Sequence, residues 1–222
     1  MPVRAGRPAS ETKRKAIVDA AVASFFDRGY AATSIEQVAA VAGVSKVTVY
    51  NQFGDKRGLF TAAVEQKCER IRGYFTVPSV PNGTLRERLT EIGKAVVTFL
   101  SRPEMVQFER RIAAETELAP AVGATFLAAG PHRMKEAFAA LLTSLTQAGD
   151  ISVDDPELSA EQFSAMCKWM VDLERLFCMP LDYHRDTDRI DGSLHVFFRS
   201  FSLVASFSYS FSLLFPSFLF AL

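Results

Sequence analysis

The residues from Gly43 to Lys56, GVSKVTVYNQFGDK, gather hydroxyls, amides, a tyrosine and two lysines around a single acid. That is hydrogen-bonding and cationic chemistry, suited to phosphate oxygens and base edges. A DNA major groove is about 12 Å wide and admits one α-helix, whose first turns face the bases. In SKVTVYNQF, Ser45, Lys46 and Thr48 supply those turns, and Tyr50 and Asn51 reach backbone or bases further along. Val47 reads first as scaffold, although an apolar side chain there also suits a thymine methyl. Val49 and Phe53, four apart, point the other way and lock the helix onto Ile35, Val38, Ala39 and Phe25. The helix before it would cross the backbone, its N-terminal amides and the Thr33 hydroxyl binding a phosphate. Lys56 adds a cation beyond the helix, and Arg4 and Arg7 in RAGRP form a basic arm suited to an A·T-rich minor groove.

Charge supports this reading locally. The whole chain of 222 residues has a formal net charge of zero. Residues 1–60 hold nine Lys or Arg against five acids, a surplus of four cations, and it is the local surplus that a nucleic-acid footprint needs. Enzymatic chemistry finds no comparable grouping. His132, His184 and His195 are scattered, and no serine elbow, phosphate loop or HExxH occurs. Glu109 and Glu115 share a helix with no histidine at ligand spacing. No catalytic residue, metal or cofactor is expected. Cys68, Cys167 and Cys178 are odd in number and form no CxxC, which argues against a disulfide framework or a thiolate metal site. With no apolar run behind the basic start, a reduced, cytoplasmic setting fits best.

The elements that must position these residues are helices. Apolar positions at helical spacing run from Glu11 to Arg28, and Gly29 stops them. Thr33 with Glu36 three places on reads as a capping box for a helix of barely two turns ending at Gly43. Ser45 caps the short helix KVTVYNQF before Gly54, and Asp55 caps a longer one running to Pro78. Short helices joined by AGVS describe a helix-turn-helix unit. The expected division is an arm and DNA-binding domain over residues 1–56, a connecting helix over 57–76, and an all-helical domain over 84–200. In the last, Thr84/Glu87 forms a box, Pro103 and Pro131 open helices, and a long apolar helix spans 157–178. From Ser200 to Leu222 no charge occurs; the 23 residues could span a bilayer, but several serines and Pro216 weigh against it. Residues 201–222 read first as an atypical hydrophobic tail that contributes nothing to function, with a buried or swapped hydrophobic terminus as the alternative, and a membrane is not an expected partner.

The stretch TSIEQVAAVAGVSKVTVYNQFGDKRGLFTAAVE resembles the DNA-binding domain of the TetR family of transcriptional regulators. The resemblance rests on Thr33, Ile35, Val38-Ala39, Ala42-Gly43-Val44-Ser45, Lys46, Thr48, Val49, Tyr50, Phe53, Lys56 and Leu59-Phe60. It implies an all-α fold and contacts to phosphate or base from Thr33, Ser45, Lys46, Thr48, Tyr50 and Lys56. Val47 stands where the family usually has glycine, and Gly58 weakens the first turn of the fourth helix. The run from Phe108 to Phe163 is similar, more loosely, to the C-terminal domain of the AefR-like branch, which implies an effector-responsive bundle that also dimerises.

In that second domain Phe99, Met105, Phe108, Phe126, Met134 and Phe138 are candidate walls of an effector pocket, with Trp169 as an amphipathic contact and Arg110, Arg111, Glu115 and His132 as polar handles. Phe163, Met166, Met170, Leu173 and Phe177 form a stripe on the long helix, the candidate dimer surface. A dimer suits the function, because two recognition helices need a separation near one turn of duplex, about 34 Å. The expected activity is a ligand-responsive repressor that binds a pseudo-palindromic operator in double-stranded DNA as a homodimer, with an effector the sequence does not identify. The alternative is a helical interaction protein of the same fold that has lost specific DNA binding.

Overall fold

The computed structural model describes residues 7–76, 83–177, 179 and 183–201, and every regular element among them is an α-helix. In chain order these are α1 (Arg7–Arg28), α2 (Ile35–Val41), α3 (Lys46–Phe53), α4 (Lys56–Thr76) and α5 (Leu85–Leu100). There follow α6 (Pro103–Leu118), α7 (Pro120–Ala129), α8 (Pro131–Gln147), α9 (Pro156–Leu176) and α10 (Tyr183–Phe201). The tail from residue 202 onward lies outside the described residues. No helix among those described is long and apolar enough to cross a membrane.

Four of these helices begin at proline, whose missing N–H removes nothing there, and Pro120 opens a helix that the spacing alone does not announce. α10 is likewise additional. Its buried Ile190, Leu194 and Phe197 follow at spacings of four and three behind a strongly charged opening turn. α1 begins at Arg7, one turn earlier than the apolar pattern indicates, so Arg7 is helical backbone and not part of an extended arm.

The capping of α2 corrects the sequence reading by one residue. Ser34, not Thr33, is the N-cap: its hydroxyl accepts from the Gln37 amide and the Gln37 side chain accepts from the Ser34 amide. Thr33 is only 2% exposed, and its hydroxyl donates to the Gly29 carbonyl at 2.8 Å. Ser45 caps α3, and the Thr84/Glu87 box closes the start of α5. Asp55 accepts from the Gly58 amide at 2.7 Å, capping α4.

Gly58 also changes meaning. A Cβ there would overlap the carbonyl oxygen of Phe53, so the α3–α4 junction is too tight for any other residue. What reads as a weak helical start is the condition for α4 to follow α3 so closely.

The core runs unbroken from the helix-turn-helix into the second bundle. α4 packs on α1 of the first bundle and on α7 and α8 of the second. Phe25, Phe60 and Phe108 are fully buried at the seam, each contributing about 1.5–3 kcal/mol through the apolar surface it removes from water. Phe26 of α1 stacks on Phe108 of α6 with ring centroids 3.9 Å apart, and Phe60 approaches Phe108 at 6.2 Å.

Candidate nucleic-acid interface

α3 is eight residues long because two caps confine it. Ser45 receives the Thr48 amide at its start, and Gly54, with φ +78°, ends it in a left-handed conformation that favours glycine. Only Val49 of this helix is fully buried, and it anchors the helix to the core that holds Ile35, Val38 and Ala39. Ser45, Lys46, Val47, Tyr50 and Asn51 are exposed and Thr48 is half-buried. The structure therefore brings six of the sequence-predicted contact residues onto one short helix and its cap.

Their mutual geometry adds detail. The Ser45 and Thr48 hydroxyls are 2.9 Å apart, so one donates a hydrogen bond to the other at the front of the helix. Val47 is 65% exposed with no core role. Lys46 pairs with Glu36 of α2 and lies 5.5 Å above the Tyr50 ring. That hydrogen bond holds the Glu36 carboxyl below the usual carboxylate range and raises Lys46 above its ordinary value. Lys46 is thus a cation with an acid beside it.

The other four predicted contacts are not on this helix. Thr33 faces inward, as described. Lys56 is half-buried: its ammonium donates to the Ala31 carbonyl at 3.1 Å and sits 4.5 Å above the Tyr30 ring. Burial lowers its pKa, with Glu115 opposing. Arg4 lies outside the described residues, and of Arg7 only the helical backbone is described. One basic residue was not singled out. Arg14 of α1 stacks 4.5 Å over Phe53 and reaches the Gln52 carbonyl at 3.5 Å, bracing the end of α3. Its spacing in the basic run TKRK gave no hint of this, because it depends on how α1 crosses α3.

Behind this face the α1–α2 turn is gripped from the second bundle. Arg111 of α6 donates to the carbonyls of Phe26, at 2.9 Å, and Asp27. One turn on, Glu115 accepts the Ala31 amide at 2.9 Å. Gly29 between them has φ +88°, and a Cβ there would overlap the Glu115 carboxylate. Arg111 and Glu115 are therefore clamps on the helix-turn-helix domain and not pocket handles as their position suggested.

A cavity of about 390 Å³ lies among α4, α5, α6, α8 and α9, with Phe126 of α7 at its edge. Phe99, Met105, Phe126, Met134 and Phe138 line it, as does His132. Phe108 does not; it is fully buried in the seam. Arg110 is also outside its lining, and the Trp169 side chain is not described. Phe163, expected on a dimer face, lines this cavity instead, packed between Phe138 at 5.1 Å and Phe197 at 5.4 Å. Its apolar spacing with Met166 was right for a helix but placed it on the wrong face. Met166 and Phe177 are exposed, the latter by 72%, and Leu173 is half-buried. Met170 lies on α9 with its side chain not described. Among the described residues no cluster of potential metal ligands occurs.

Comparison with known proteins agrees with both halves of this architecture. The model for bacterial regulatory proteins of the tetR family matches residues 17–63, and that for the AefR-like transcriptional repressor C-terminal domain matches residues 87–202. The HTH-type transcriptional regulator BetI of Rhizobium meliloti (strain 1021) is 31% identical over 80 residues, 36% of this chain and 39% of that protein. A TetR-family transcriptional regulator of Mesorhizobium loti MAFF303099 superposes with a TM-score of 0.71 at 28% identity, covering 90% of this chain and 99% of that one. The flavonoid-responsive regulator FrrA superposes with a TM-score of 0.67 at 27% identity, covering 85% and 96%. With an exposed α3 on a helix-turn-helix scaffold and family matches across both bundles, the chain belongs to the TetR family of transcriptional regulators, proteins that bind DNA.

Proposed function

We propose that this regulator binds a pseudo-palindromic operator as a homodimer, represses the adjoining gene, and changes operator affinity when a small molecule fills the cavity of its second bundle. The observation that carries the DNA reading is the outward face of α3, where Ser45, Lys46, Val47, Tyr50 and Asn51 are exposed while Val49 alone is fixed in the core. Bases would be read by the first turn of α3 and phosphates held by Lys46, Tyr50 and the uncovered amides at the start of α2, capped by Ser34. A homodimer is supported by the apolar residues left exposed on the last two helices, among them Met166 and Val196, which is 51% exposed. One superposed relative responds, by its description, to a flavonoid, which supports a ligand response here.

α6 offers the path between cavity and DNA. Its Met105 lines the cavity, Phe108 three residues on stacks on Phe26, and Arg111 and Glu115 hold the α1–α2 turn. A ligand that shifts α6 would move the turn that carries α2 and α3. A coupling of about 1–3 kcal/mol would alter operator affinity roughly 5- to 150-fold, in the direction of whichever spacing of the two α3 helices the ligand favours.

Selection from a random duplex pool tests the DNA reading directly. The expected result is an enriched motif with two-fold symmetry whose half-sites lie about one helical turn apart. A pool that returns no enriched motif overturns it and favours a fold retained for protein interaction alone.

A further inference from the structure

The lining of the cavity is of two chemical kinds. One is aromatic: Phe75, Phe138 and Phe163 follow one another at 5.5 and 5.1 Å, with ring planes tilted by 37° and 47°. Tilted rings present both faces and edges to a guest, the arrangement in which aromatic partners interact beyond simple area burial. Met105 and Met134 add polarizable sulfur to the same wall, which suits contact with a ring. A volume of about 390 Å³ holds a molecule of two or three fused or linked rings and is small for a larger one.

The polar part of the lining comes mostly from α8 and α9: His132 and Lys135 of α8, and Glu161, Ser164 and Lys168 of α9, with Glu109 contributed by α6. The lysines are only loosely neutralised. Lys135 lies 3.7 Å from Glu157 and 3.9 Å from Glu161, beyond hydrogen-bond distance, and Lys168 lies 3.5 Å from Asp172. The Glu157 and Glu161 side chains are largely exposed, so a guest anion can take the hydrogen-bonding positions without stripping a buried pair. The start of α8, which carries no side-chain cap, adds its positive end to the same lining.

We infer that the cavity takes an aromatic carboxylic acid, its rings against Phe138 and Phe163 and its carboxylate at Lys135 and Lys168. A long aliphatic acid would fill the volume but lose the ring contacts, and a neutral aromatic would lose the lysines. This rests on reading the second bundle as an effector domain, and it is measured without DNA so that the two can fail separately.

Isothermal titration of the full chain with 2-naphthoate, 2-naphthamide and decanoate provides the test. Naphthoate should bind at least tenfold more tightly than either of the others. The double variant Lys135→Met/Lys168→Met should lower naphthoate affinity at least tenfold and leave naphthamide unchanged. Val96→Trp, which fills the cavity from α5, should abolish binding of all three, with circular dichroism reporting that each variant is folded. Equal affinity for naphthoate and naphthamide overturns the anion assignment, tighter binding of decanoate overturns the aromatic one, and naphthoate binding that survives Val96→Trp overturns the site. If none of the three binds the full chain, the inference fails, even where duplex selection returns an operator. If naphthoate binds as expected and selection returns nothing, the inference stands and the DNA reading fails.

Discussion

Lys46 carries a formal charge that its neighbour partly cancels. Glu36 of α2 holds the ammonium, and a phosphate approaching α3 must compete with that carboxylate while being repelled by it. Glu36→Gln removes both effects. Operator affinity should rise roughly 3- to 10-fold at low salt, and the dependence of log affinity on log salt should steepen by up to about one, as a freed lysine displaces one more counterion. Fluorescence anisotropy across a salt series reads both quantities; an unchanged slope would mean that Lys46 does not reach a phosphate. Gly58 makes a second, independent expectation. Gly58→Ala drives a Cβ into the Phe53 carbonyl oxygen, a backbone atom with no freedom to retreat. Urea unfolding should show a loss of about 1–3 kcal/mol, the usual scale for overpacking.

Among the elements, α2 shows how closely its sequence could be read and where the reading slipped. TSIEQ satisfies the capping pattern twice, once as Thr33 with Glu36 and once as Ser34 with Gln37. Local chemistry does not choose between them. The choice falls to the preceding turn, where Thr33 donates its amide to Tyr30 and its hydroxyl to Gly29 and so leaves Ser34 to cap. Ser34→Ala should cost about 1 kcal/mol in thermal or urea unfolding, whereas a silent Ser34→Ala would return the cap to Thr33. The helix-turn-helix itself and the face of α3 were legible, because glycine, serine and apolar spacing act over a few residues. Phe163 and Arg111 were not. Which side of α9 meets α8, and what lies opposite α6, depend on crossings between elements far apart in the chain. α1 and α4 are tied in that same non-local way through Asp19, which binds Lys15 at 2.7 Å and accepts from Gln66 at 2.7 Å. The Lys15 hydrogen bond, then Gln66, lowers the Asp19 pKa. A depressed carboxylate stabilises the fold above its unfolded pKa, near 3.9, and that contribution disappears as pH falls through the folded value. Asp19→Asn should therefore cost less than about 1 kcal/mol at pH 7, because the site is exposed, and less at pH 3. Parallel melts of the two proteins at both pH values would show it.

For the whole molecule the question is what covers the apolar residues left exposed on α9 and α10. Met166 of α9 and Val196 of α10 are exposed, while Phe163, Leu194 and Phe197 are turned into the chain's own core. If a second copy covers this face, Met166→Glu with Val196→Glu places two charges in an apolar contact. Sedimentation should then report a monomer where the unmodified chain is a dimer, and operator affinity should fall at least 100-fold through loss of one half-site. A variant that remains dimeric would move the contact elsewhere.

The double grip on the α1–α2 turn has a further meaning for anyone wishing to take this protein apart. Ala31 donates its amide to Glu115 of α6 while its carbonyl accepts from Lys56 of α4, and Phe26 leans on a ring that belongs to the second bundle. The reading head and the body are therefore not interchangeable cartridges joined by a tether. A chimera cut after α4 and fused to a foreign body would inherit a head with an unfilled socket where Phe108 sat and two unanswered carbonyls where Arg111 reached. The natural unit of exchange is the head together with α6, and grafts that carry both should keep their operator preference where shorter ones lose it.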